Sequence, residues 1–185
     1  HAENIAIGND AMIKHTSGGN NIAIGQNVMD DTDAGSTSSD SDDNLAIGRD
    51  SMGGTWANTK SEYNVAIGNY TMDSALDGAN KNVAIGWSAL SAITVGDQNV
   101  VVGYQSGLSI TEGIRNVGLG MTTLDAVTTG TRNIAVGANA GSSLTNTSYN
   151  IFVGNDAGAN ATSAGAIGIG HDALKANTAD YSIGI

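Results

Sequence analysis

The sequence predicts an all-β fold: a parallel β-solenoid of about eleven rungs, each of roughly 17 residues. Three observations lead there. A short phrase, Asn-Val/Ile-Ala-Ile/Val-Gly, recurs along the 185-residue chain, and self-similarity at a short period marks stacked repeats. The composition, with 26 Gly, no Pro and no Cys, suits frequent tight bends and excludes a disulfide framework or thiolate metal site. A unit this short cannot bury a core alone and must stack on its own copies.

The phrase occupies 4–8, 21–25, 44–48, 64–68, 82–86, 99–103, 116–120, 133–137 and 150–154. A weaker copy follows at 166–170, and an eleventh at 182–185 stops before its Gly. From one start to the next the numbering advances by 17, 23, 20, 18, 17, 17, 17, 17, 16 and 16. The chain therefore reads as one repeat solenoid over 1–185, with enlarged loops at 30–43 and 53–63. With no initiator Met and no basic-then-apolar leader, it reads as a fragment of a longer fibre protein.

Within a copy the phrase is a short strand that ends at a Gly bend. A small or β-branched residue and then Met or Leu follow, as in Val28-Met29 and Ala89-Leu90, before a polar turn such as 128–131. Positions two and four of the phrase point to one side of a strand. They are aliphatic in every copy, from Ile5 and Ile7 to Ile183 and Ile185. These two columns are expected to be the dry core, so that Ile85→Asp would unfold neighbouring rungs. Position three is small in most copies, which points to a second packed face: the opposite wall of the coil or a neighbouring subunit. The Asn column reads as a structural ladder and the Gly column as a bend requirement.

The formal net charge is −11, which argues against nucleic acid as partner. No apolar run reaches the roughly 18 residues of a membrane span.

The stretch 82–90, Asn-Val-Ala-Ile-Gly-Trp-Ser-Ala-Leu, resembles repeats of viral tail fibres. It is also similar to the head of bacterial trimeric autotransporter adhesins, whose Val-Ala-Ile-Gly modules are shorter. The resemblance covers nearly the whole chain and implies a homotrimer. It also implies a structural or adhesive role at a virion or cell surface, contacting host glycans or proteins, and no enzyme activity. The strand columns carry no Asp or Glu, so paired carboxylates for polysaccharide cleavage are not expected there. An ice-binding solenoid would want a regular Thr column, which the repeats lack.

Three groups are candidate sites. The insertion at 53–63 holds Trp56, Lys60, Glu62 and Tyr63, where aromatic rings could stack on sugars and the charged groups could bind hydroxyls; the alternative is that Trp56 packs on the rod. Trp87, Tyr104 and Met121 each follow the motif Gly in successive copies, and read as a subunit seam first and a carbohydrate platform second. Asp30, Asp31, Asp33, Asp40, Asp42 and Asp43 crowd one loop. They read as a solvated acidic stretch, with Ca²⁺ as the only cofactor the sequence suggests. Arg115 and Arg132 are expected to face outward, with Asp125 in reach of either.

Overall fold

The structure, a computed structural model, describes residues 3–32 and 40–185. Each phrase forms one strand: β1 (Ile5–Ile7), β2 (Ile22–Ile24), β3 (Leu45–Ile47), β4 (Val65–Ile67), β5 (Val83–Ile85), β6 (Val100–Val102), β7 (Val117–Leu119), β8 (Ile134–Val136), β9 (Ile151–Val153), β10 (Ile167–Ile169) and β11 (Ile183–Gly184). All eleven join one parallel sheet in chain order. Equivalent residues pair in register, Val83 with Val100 and Val100 with Val117. The architecture is the predicted solenoid. At ~4.8 Å per rung the sheet runs for roughly 48 Å.

Outside the strands the chain still bonds from rung to rung. Leu90 N–H donates to the Ser106 carbonyl, and Thr94 N–H to that of Thr111. Each short strand is thereby backed by further bonds to the next rung around much of the circumference. The backbone groups of the bends find partners that no hairpin or helix supplies.

The bends explain the invariant phrase. The motif Gly sits at positive φ, +135° at Gly86, and an added Cβ there would lie 2.3 Å from the Gly103 carbonyl oxygen one rung on. Neither the dihedral nor the spacing admits another residue. Two and four residues later the chain turns again through left-handed residues, for example Ser88 (φ 50°) and Leu90 (φ 54°). A further left-handed residue precedes each motif Asn from Asn21 to Asn150, such as Lys81 (φ 59°) and Arg115 (φ 58°).

The core corrects the assignment of faces. Position three, not positions two and four, points inward. Ala23, Ala46, Ala66, Ala84, Val101, Ala135 and Phe152 are fully buried, whereas the aliphatic columns on either side are half-buried or exposed at every rung. The small inward residues meet the opposite wall of the same coil, where Met29, Met52, Met72, Leu90 and Leu124 are buried, together with Trp56, Leu76, Ile93, Ile110, Val127 and Leu144. Sizes are matched across this narrow interior. Phe152 fills the space left by Gly141 and Gly158, and Val101 approaches Gly107. Opposite Gly118 stand Ser106 and Thr123, whose hydroxyls bond to each other at 2.5 Å.

The Asn ladder is structural, as the sequence indicates. Asn99 Nδ2 donates to Asn82 Oδ1 (3.1 Å) and to the Gly113 carbonyl (2.8 Å), and its own Oδ1 accepts from both the backbone N–H (3.0 Å) and Nδ2 (3.1 Å) of Asn116. Every hydrogen and lone pair so used lies inside, where each of these Asn is buried. The ladder ends at Asn150, whose Oδ1 receives the Ala166 N–H.

Candidate functional site

The rod divides its candidate residues among three surfaces. The first is the enlarged third rung. Trp56 does not present a ring to solvent: it is fully buried, and its indole N–H donates to the Met52 carbonyl at 3.2 Å. This corrects the expectation of a stacking platform. The insertion lengthens the rung, and the large indole takes the place that Leu76 and Ile93 hold in the rungs that follow. Lys60, Glu62 and Tyr63 do come together. With Asn80, Lys81, Asp97 and Gln98 they line a groove of about 270 Å³. Tyr63 is exposed, and Lys60 Nζ lies 3.8 Å from Glu62. Several polar groups of this groove also hold the stack: Asn80 Oδ1 accepts the Glu62 N–H at 2.8 Å, and Asp97 Oδ1 accepts that of Asn80 at 2.6 Å.

Among the described residues, no three acids of the second rung gather at one point. Asp33 lies outside the described residues. Asp31 pairs with Lys14 at 3.2 Å and accepts from Thr55 at 2.9 Å; Asp42 accepts the Gly19 N–H and Asp43 the Asn20 amide. Asp40 lines a separate polar groove of about 390 Å³ with Asp42, Lys60 and 16–19. Asp30 keeps one buried oxygen without a partner, and burial raises its pKa. Among the described residues, the group whose ligand atoms gather within 4.8 Å is instead Asp156, His171 and Asp172. Lys175 already serves it, 2.8 Å from Asp172 and 3.6 Å from Asp156. The Asn139 amide and then Lys175 hold Asp156 below the ordinary carboxylate range.

The second surface is the column after the motif Gly. Trp87, Tyr104 and Met121 stand there, all exposed, as the repeat spacing indicates. Trp87 stacks on Tyr104, with centroids 5.1 Å apart and planes at 10°, and meets Tyr70 edge-on at 5.9 Å. The Arg49 guanidinium lies 4.7 Å over the Tyr70 ring and extends the column downward. The indole and the Tyr104 phenol each cover a face of the other, which leaves less open ring face for a sugar to stack on. Arg49 shares the column position directly after the motif Gly, whereas Tyr70 stands one residue further on in its copy, so only the fold brings it to the column.

The third surface is the outward face of the sheet, which the sequence pattern assigns to the core. From β1 to β11 it presents two parallel columns of Ile, Val and Leu, with exposures such as 37% at Val102, 38% at Ile134 and 39% at Leu119 in mid-rod. No polar residue interrupts it. Along its N-terminal edge runs the residue before each Asn, including Tyr63, Lys81, Arg115, Arg132 and Tyr149. Arg115 bonds Gln98 at 2.9 Å and Arg132 bonds the Tyr149 hydroxyl at 2.5 Å, so neither turns to Asp125. Asp125 instead keeps a buried oxygen without a partner, and burial raises its pKa. Along the C-terminal edge runs the Trp87–Tyr104–Met121 column. No protein family, curated protein or solved structure matches this chain.

Proposed function

We propose that this chain is a structural, adhesive segment of a surface fibre: the shaft or receptor-binding part of a viral tail fibre. In this reading it works as a homotrimer exposed on the virion and contacts glycans or proteins of the host surface. One observation carries the reading. Eleven rungs keep one unbroken register, fastened inside by the Asn ladder and outside by the sheet. That construction fixes a length and a direction rather than a cleft, and its side chains serve stacking before anything else. The tail-fibre-like phrase at 82–90 supports the same reading. The head of a bacterial trimeric adhesin remains the alternative, because Val-Ala-Ile-Gly modules would stack in the same manner.

The test is adsorption of the purified chain to candidate host cells and to a glycan array, with and without Ca²⁺. Saturable binding that survives chelation is the expected result. Absence of binding to any host surface or glycan would remove the adhesive part of the reading and leave a shaft.

A further inference from the structure

We propose that the aliphatic face of the sheet is where copies of this chain meet, side by side, all pointing the same way and level with one another. In that arrangement the N-terminal edge of one face closes against the C-terminal edge of the next. The inference rests on the fibre reading only in taking the partner to be a second copy.

The face is too large and too dry to stand in water without a purpose. Two columns about 7 Å apart and roughly 48 Å long make an apolar strip of roughly 500 Å². That is as large as the largest patch on an ordinary monomer, and such patches mark interaction sites. A stable interface needs about 800 Å² per partner. The strip alone falls short of it. With the flanking columns the surface reaches roughly 1,000 Å², so the edges must belong to the contact.

Regularity identifies the partner. The strip is aliphatic at every rung, including those far from both enlarged loops. A target of irregular surface would not need eleven equivalent rungs, whereas another copy offers the same period and the same straightness. The edges then set the direction. Rotation about the rod axis brings the N-terminal edge of one copy against the C-terminal edge of its neighbour at nearly the same height. Asp43 then faces Arg49, and Arg115 faces Met121. Antiparallel pairing would instead put like edges together, so that Gln98 on the middle rung would confront its own copy and Arg115 would confront Lys81, like charge against like.

The test uses light scattering together with cysteine cross-linking, which the absence of native Cys makes clean. The parent should be a multimer at micromolar concentration. Ile85→Asp should weaken its assembly by roughly a hundredfold or more, since each contact would bury an unpaired charge, while far-ultraviolet circular dichroism stays that of the parent. The double variant Arg115→Cys, Met121→Cys should cross-link between chains on oxidation, and Gln98→Cys alone should not. Cross-linking by the single variant would overturn the parallel arrangement, and a multimer unaffected by Ile85→Asp would overturn the face. A monomeric parent would overturn both this proposal and the trimer. Lost host binding with assembly intact would count against the adhesive reading alone.

Discussion

At the residue scale the stack depends on groups that satisfy several partners at once. Asn99 replaced by Ala would strand the Asn116 backbone N–H and the Gly113 carbonyl inside. Each stranded buried group costs about 1–3 kcal/mol, so a loss of roughly 3 kcal/mol is expected in urea unfolding, and a loss below 1 would mean that water enters the ladder. Trp56→Ala belongs with core truncations, not with ligand variants: about 3–5 kcal/mol is expected, measured by the same method. Asp73 works in the opposite sense. Burial first, then the charges of Asp50 and Asp30, push its pKa up to about 6. The folded form therefore holds its proton more tightly than the unfolded chain, and stability is lost as pH rises from about 4 through about 6. Because the group is only half-buried, solvent screening leaves about 1 kcal/mol of that effect. Asp73→Asn should raise the melting temperature at pH 7 and leave it nearly unchanged at pH 4; equal shifts at both would disprove the linkage. The Asn and Gly columns are legible in the sequence because one residue type answers one local demand. Asp73 is not, since its burial depends on the rungs above and below.

At the element scale each rung is a strand, a Gly bend and a return wall. What differs between rungs is how volume is shared across the interior. Where the return wall carries Gly141 and Gly158, the strand carries Phe152; where the strand carries Gly118, the wall offers Ser106 and Thr123. Phe152→Ala should therefore open a cavity that neither neighbouring Gly can fill and cost about 3–5 kcal/mol, whereas Ile151→Ala on the outer face of the same strand should cost much less in the isolated chain. Thermal melts of the two variants side by side check this. The alternation of the phrase is readable, but parity alone does not say which face is inside. So short a coil has an interior so narrow that only small side chains fit on most strands, and the bulk must come from the wall opposite. The regular recurrence of Ile93, Ile110, Val127 and Leu144, one to a rung, carries that signal, although the polar turns around these residues obscure it. The insertion at 53–63 likewise has the composition of an exposed recognition loop, yet its indole serves the core.

At the scale of the whole molecule, a strip of outward Ile and Val over an inward column of Ala makes a rod with an unbroken apolar strip along its outside. A rod this thin buries little of its surface alone, and association along the strip would add to its stability. The fold is legible because repetition states the same constraint at every rung. A binding site is not legible in the same way, because the repeats record stacking and only the breaks in them record anything else. The central claim, that position three faces in and position four faces out, is tested most directly by one paired measurement: circular dichroism melts of Ala84→Asp and Ile85→Asp. The account requires Ala84→Asp to lose its sheet signal at room temperature while Ile85→Asp keeps it. The reverse outcome, an intact Ala84→Asp beside an unfolded Ile85→Asp, would contradict the account.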